Sequence, residues 1–352
     1  MVQRNLTKIA YQTLQQGKSI AGFAHKELSN RIMDLISPSA QEIKFDFDEE
    51  LLQKLQESMS ELREIDWRES EENLYPQKLL FEGPWLKWFM EYPKLWLDMP
   101  LTWKRRQKGN YRDMPKKIDK EFYPDYYLQN FHHQTDGYLS EYSASIYDLQ
   151  VEILFNGTAD SMRRRVISPL KRGLEVFTKD QLNSLKVLDI AAGTGRTLKQ
   201  LRSAFPNLNL YGIDLSSSYL KEASRYLSSS EGNLVELIQG NAESLPYEDN
   251  TFNGITCVYL FHELPSKVRE KVIEECYRVL KPKGIFVLAD SIQIKDSPDF
   301  ISIMENFHKN FHEPYYRDYI RDNIVEKLSK AGFQNINGES FFMTRVWSCY
   351  KA

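Results

Sequence analysis

The run Val187-Leu188-Asp189-Ile190-Ala191-Ala192-Gly193-Thr194-Gly195-Arg196-Thr197 constrains this chain more than any other segment. A short apolar strand carrying an acid near its end breaks into small residues and two glycines. Leu198, Leu201 and Phe205 then begin a helical period. Strand, glycine loop and helix in that order let a ligand lie against bare backbone at the carboxyl end of a sheet. The run also falls near the middle of the 352 residues, and the two halves read differently.

Downstream, strand and helix patterns alternate. Strands are predicted at Val187–Ile190, Leu208–Ile213, Val235–Gln239, Phe252–Tyr259 and Ile285–Ala289, the last after a Pro282-Lys283-Gly284 turn. Helices are predicted through Tyr219 and Ala223, over Pro265–Leu280, and over Tyr319–Ala331 ending at Gly332. Phe333–Ile336 and Phe341–Tyr350 read as a terminal hairpin. Such alternation implies an α/β fold with a mostly parallel sheet covered on both faces.

Upstream, residues 1–75 read as helical, with a break at Ser37-Pro38-Ser39 and a second amphipathic stretch over Phe47–Ile65. Residues 76–122 hold five prolines and the aromatics Trp85, Trp88, Phe89, Tyr92, Trp96 and Trp103. Proline there is expected to block long helices, leaving a short-helix connector or one wall of an apolar cavity. Residues 123–178 read as helical again, broken at Asn156-Gly157, with Thr158 or Asp160 as the cap of the next helix. We place the division at residues 1–180, a helical aromatic-rich domain, and 181–352, an α/β domain.

Composition removes several functions. A net charge of −3 offers no basic field for nucleic acid. Lys104-Arg105-Arg106 and Arg163-Arg164-Arg165 are short and read as solvated faces or local ion pairs. Three scattered cysteines make neither a disulfide framework nor a metal spacing, which suits a reducing cytoplasm. Met1 to Ala21 lacks an apolar signal core, and no stretch reaches the ~18 apolar residues of a membrane span. No metal site is expected, because the adjacent His132 and His133 would diverge on a helix.

The glycine loop is not a dinucleotide fingerprint, since Leu198 stands where a third glycine belongs, and it lacks the lysine of a phosphate loop. Asp189 would repel a pyrophosphate but suits a cationic amino-acid head. Asp214, after the second strand, can accept both hydroxyl protons of a ribose or cap the following helix. Gly240-Asn241-Ala242-Glu243 offers an amide and backbone N–H groups to an adenine edge. Four successive strands thus end in polar or small residues at the edge where open α/β sheets bind ligands.

These residues carry a resemblance. Residues from about 185 to 290 resemble the class I S-adenosylmethionine-dependent methyltransferases, specifically the small-molecule type akin to ubiquinone/menaquinone methyltransferases. The matching runs are Val187 to Gly195, Gly212-Ile213-Asp214-Leu215-Ser216, Gly240 to Pro246, and Glu274 to Gly284. The resemblance implies a Rossmann-like seven-stranded sheet with its last strand antiparallel. It also implies S-adenosylmethionine as cofactor: Asp189, Ala191, Gly193 and Gly195 around the methionine part, Asp214 on the ribose, Leu215, Asn241 and Ala242 around the adenine, Glu243 and Tyr259 as further cofactor-binding residues, and Tyr142 or Tyr147 closing over the cofactor. Family members usually carry Asp at the Asn241 position; Asn keeps an acceptor and loses the charge.

His262, just past the fourth strand, reads as a general base or as a helix cap bonded to Glu263. His133 and Tyr138 sit in a polar aromatic stretch that reads as buried hydrogen-bonded packing or as a lid. We assign His262, His133 and Tyr138 as candidate catalytic residues. The reading is a soluble, cytoplasmic methyltransferase for a small or medium-sized, partly apolar acceptor. The alternative is a protein or RNA substrate docked by the N-terminal domain.

Overall fold

The computed structural model describes residues 2–36, 48–116, 118–177 and 184–352. Its helices are α1 (Val2–Ile36), α2 (Glu49–Glu71) and α3 (Trp85–Lys108), then α4 (Glu141–Leu154), α5 (Ala159–Arg164) and α6 (Ile167–Leu174). Within the sheet region lie α7 (Arg196–Ala204), α8 (Ser217–Leu227), α9 (Ser266–Val279), α10 (Ile301–Asn310), α11 (Tyr316–Tyr319) and α12 (Ile324–Lys330). The strands are β1 (Lys186–Ile190), β2 (Asn209–Asp214), β3 (Glu236–Gln239), β4 (Phe252–Val258), β5 (Leu280–Ser291), β6 (Phe333–Phe341) and β7 (Thr344–Lys351).

These strands form one seven-stranded sheet in the order β3-β2-β1-β4-β5-β7-β6. β1 to β5 pair in parallel, and β7 runs antiparallel to both of its neighbours. Side chains alternate between two cores. Val187, Ile285, Val287 and Ala289 enter one, and Leu188, Phe286 and Leu288 enter the other. Both faces are covered, so the central strands read as continuous apolar runs. β5 starts earlier than expected, because Pro282-Lys283-Gly284 is a bulge within the strand, with Lys283 at φ 65°, and not a turn before it.

The N-terminal helices join the second core. Tyr11 of α1 and Trp67 of α2 pack beside Leu170 and Leu174 of α6. Asp66 of α2, fully buried, accepts from Arg164 Nε at 2.8 Å, Tyr11 Oη at 2.9 Å, Tyr75 Oη at 2.8 Å and Ser161 Oγ at 2.9 Å, and pairs with Arg165. Burial alone would raise its pKa, but Arg164 and Arg165 hold it well below the ordinary carboxylate range. The expected division at 180/181 lies outside the described residues, as does the Ser37-Pro38-Ser39 break. Just before that division, α6 packs on β4 and β5. Gly173 sits so close to β5 that an added Cβ would stand 2.6 Å from Ile285 Cβ. Gly173→Val is expected to cost about 1–3 kcal/mol by overpacking. Urea denaturation checks this, and an unchanged midpoint would refute it.

Four local expectations fail. Proline does not block α3, which runs through Pro93 and Pro100. Each interior proline costs about 3 kcal/mol, but α3 is anchored by buried Trp88, Leu95, Asp98, Trp103 and Arg105. Residues 123–140 are not helical. They form turns and one short 3₁₀ turn, Phe131–His133, where His132 and His133 have φ of 54° and 59°. Neither Thr158 nor Asp160 caps α5 through its side chain: Thr158 Oγ1 donates to the Phe155 carbonyl, and Asp160 pairs with Arg163 and Arg196. The helix expected over Tyr319–Ala331 is split into α11 and α12. No helix among the described residues is long and apolar enough to cross a membrane.

Candidate functional site

After β1 the chain turns sharply, with Ala191, Gly193 and Gly195 at φ of 54°, 54° and 80°. This left-handed backbone favours glycine, and it aims loop N–H groups inward. Gly193 N–H donates to Asp214 Oδ2 at 2.8 Å. Thr194 Oγ1 donates to Asp148 Oδ1 at 2.7 Å, which ties the loop to α4. Gly195 has a different task. It opens α7, and a Cβ there would meet Ala223 of α8 at 3.1 Å, so its smallness serves helix packing.

The loop borders a cavity at the carboxyl ends of the strands, where open α/β sheets bind small molecules. Strand ends supply Ala191 to Thr194, Ile213 to Leu215, Gly240 to Ala242 and Val258 to Leu260. The opposite wall is Tyr126, Tyr127, Tyr138, Tyr147, Asp148 and Arg163 from the N-terminal half.

Asp214 fits a ribose. Oδ2 accepts Gly193 N–H and Oδ1 accepts Ser216 N–H at 2.8 Å, which leaves each oxygen a lone pair for one of two neighbouring hydroxyls. Burial raises its pKa to about 6, against the pull of those N–H groups. The helix-cap role goes instead to Ser216, which accepts Tyr219 N–H. Leu215 and Ala242 line the cavity beside it. Asn241 lines it too, but its Oδ1 already accepts Glu243 N–H at 2.9 Å, so one lone pair remains for an adenine amino group.

Two expected cofactor residues sit behind the wall. Asp189 is buried within β1 and accepts Thr256 Oγ1 at 2.6 Å; burial lifts its pKa to about 7. It therefore ties β1 to β4 and does not line the cavity. Glu243 turns outward, accepting Tyr126 Oη at 2.7 Å, and so braces the aromatic wall against the β3 end.

The three candidate catalytic residues separate. Tyr138 lines the cavity and donates to Glu263 Oε1 at 2.5 Å. His262 lies just behind Glu263, with Nδ1 2.7 Å from Asp290 Oδ1. Burial would lower its pKa, but Asp290 and the neighbouring glutamates raise it to about 10. An imidazole so held is protonated at neutral pH and makes a poor general base. It does not cap α9 either, whose N-cap is Pro265. His133 is remote, packed near Tyr111 and His312, with burial lowering its pKa to about 3. Tyr147 and Tyr259 both line the cavity; Tyr147 packs edge-on to Tyr138, and Tyr259 stands at φ 59° past β4.

Sequence reading missed Arg163, Tyr126 and Tyr127, which all line the cavity. Arg163 belongs to a triplet that reads as a surface face or as ion pairs, and its pairing to Asp160 is buried. Tyr126 and Tyr127 carried one signal, their polar aromatic setting.

Comparison with known proteins finds similarity over the region that holds the glycine loop and the following strands. The family described as methyltransferase domain matches residues 187–284. A demethylmenaquinone methyltransferase of Thermotoga maritima is 37% identical over 147 residues, 42% of this chain and 57% of the relative. A ubiquinone/menaquinone biosynthesis C-methyltransferase of Desulfotalea psychrophila is 31% identical over 148 residues, 42% of this chain and 54% of the relative. The chain thus spans about half the length of the curated relatives it matches. A solved structure from Pyrococcus horikoshii covers 54% of this chain and 91% of its own, at 22% identity and a TM-score of 0.41.

Proposed function

We propose that residues 187–284, which match a methyltransferase domain, form an S-adenosylmethionine-dependent core, and that the whole chain transfers a methyl group to a small, partly apolar acceptor, a hydroxylated aromatic of the quinol type. The observation that carries this is the shape of the cavity. One wall is the glycine loop with Asp214; the other is the tyrosine-rich wall with Arg163. The relatives' names point to quinone-type acceptors, and flat rings suit a wall of Tyr127, Tyr138 and Tyr147.

The cofactor, when bound, supplies an electrophilic sulfonium methyl. The chain's own residues bind, orient and exclude water. Asp214 and the Gly193 backbone fix the nucleoside end. The aromatic wall shields the methyl from solvent and holds the acceptor in line, and such alignment supplies much of the rate. Tyr138 and Glu263 present one hydrogen-bonded pair to the acceptor's polar edge.

The test is transfer of tritium from methyl-labelled S-adenosylmethionine to reduced naphthoquinone and benzoquinone acceptors, alongside calorimetric titration of the cofactor. Failure to bind the cofactor would overturn the reading. Binding without transfer to any quinol would overturn the acceptor class alone.

A pH dependence follows from Asp214. Its ionised form accepts the ribose hydroxyls, and it takes up a proton as pH falls through about 6. Cofactor affinity is therefore expected to be steady above pH 7 and to weaken roughly tenfold per unit below pH 6. Titration calorimetry from pH 5 to 8 measures this. Asp214→Asn should bind more weakly and without that slope; an equal slope in the variant would assign it to another group.

A further inference from the structure

We propose that His132, His262, Glu263 and Glu313 form a binding site for one divalent transition-metal ion at the acceptor end of the cavity. The four residues come from three separate segments: the 3₁₀ turn Phe131–His133, the turn after β4, and the loop after α10. One donor atom from each lies within 4.8 Å of all the others. His132 Nε2 stands 2.8 Å from Glu313 Oε1 and 4.0 Å from Glu263 Oε1, and His262 Nε2 stands 3.9 Å from Glu263 Oε1. Donors bound to one ion at about 2.0–2.2 Å lie roughly 3–3.5 Å apart, so side-chain shifts of about an ångström close the set.

Three independent observations favour an ion over plain hydrogen bonding. First, Glu313 is 3% exposed; its Oε1 faces only the His132 imidazole, and its Oε2 has no hydrogen-bond partner. A buried carboxylate oxygen without a partner is costly. Second, His262 is already oriented for ligation, with an incoming ion displacing the Nε2 proton. Its Nδ1 meets the buried Asp290, whose other oxygen accepts Phe261 N–H at 2.7 Å, and this leaves Nε2 toward the cluster. A carboxylate behind a ligating imidazole is the usual support of a metal-bound histidine. Third, His132 is held at φ 54°, a strained conformation that turns its ring inward while His133 points elsewhere. The diverging pair expected from the sequence does diverge, and the partner of His132 is His262 from another element.

Two imidazoles and two carboxylates suit zinc, manganese or ferrous iron better than magnesium or calcium, which prefer all-oxygen sites. The rings of Phe307 and Phe311 pack against His132 and keep its side of the cluster apolar. Glu263 also lines the cavity, so an ion here would take an oxygen of the acceptor as a further ligand. That last step rests on the methyl-transfer reading, whereas cation binding does not.

The experiment is titration of untagged, chelator-treated full-length protein with Co²⁺ and Zn²⁺. It follows the visible ligand-field bands of Co²⁺, the metal content after dialysis, and the melting temperature. Wild type is expected to bind one equivalent and to gain thermal stability from it. Glu313→Gln and His132→Asn should each weaken binding at least 100-fold while keeping the wild-type circular dichroism. Asp290→Asn should weaken it about 10–100-fold. Absence of a stoichiometric ion in wild type would overturn the proposal. So would wild-type-like binding by both folded ligand variants, because the metal would then lie elsewhere. Cation binding without any methyl transfer would leave the site standing and sink only its catalytic use.

Discussion

Replacing Asp214 with alanine is expected to weaken S-adenosylmethionine binding by two to three orders of magnitude. Each oxygen of this carboxylate has one lone pair free after accepting a backbone N–H. Two hydroxyls bonded to a charged acceptor contribute about 1.5–3 kcal/mol each. Partial solvation of the gap left by alanine returns some of that, and about 3–4 kcal/mol of net loss remains, roughly 10²–10³ in affinity. The loop suffers too, because Gly193 N–H loses its acceptor. Calorimetric titration measures the change, with circular dichroism to show that the fold persists. A loss below about threefold in a folded variant would remove Asp214 from the ribose site.

The largest stability effect is expected at Asp66→Asn, a loss of about 3–5 kcal/mol measured by urea denaturation at neutral pH. The change keeps the shape and removes the charge. Arg164 and Arg165, both almost fully buried, then face an amide that cannot neutralise them, and breaking a buried pair from one side costs in that range. Glu69 remains beside Arg165 and softens the loss. Replacing all the partners with apolar residues could cost far less, which is the usual asymmetry of buried ion pairs. A loss under about 1 kcal/mol in Asp66→Asn would mean that the network is not energetically coupled.

The parts legible in the sequence share one property: they are continuous along the chain. The strand, glycine loop and Asp214 read directly, because each sits at a strand end where alternating apolar runs fix its place. Asn241, Ala242 and Leu215 follow for the same reason. Asp189 and Glu243 read to the correct strand end and loop, yet neither carboxylate lines the cavity, because sequence gives a residue's neighbourhood and not the direction its carboxylate takes. Residues assembled across the fold did not read. His132 and Glu313 meet only because the loop after α10 folds under the turn at Phe131–His133, a contact seen in His132 N–H donating to the His312 carbonyl. The prolines of α3 misled for a related reason. Propensity counts local cost, and only the tertiary contacts of Trp88, Trp103 and Arg105 offset it.

β7 is the last strand in chain order, yet it lies between β5 and β6 and not at an edge. Until Thr344–Lys351 have emerged from the ribosome, β5 presents an unpaired flank to solvent or to a chaperone, and β6 has nothing to pair with. The glycine loop and the first five strands can be laid down in order during synthesis, whereas closure of the sheet must wait for its final strand. An exposed strand edge of that kind is an aggregation risk. This chain is therefore expected to depend on chaperone cover late in its translation, and removal of β7 should yield insoluble protein.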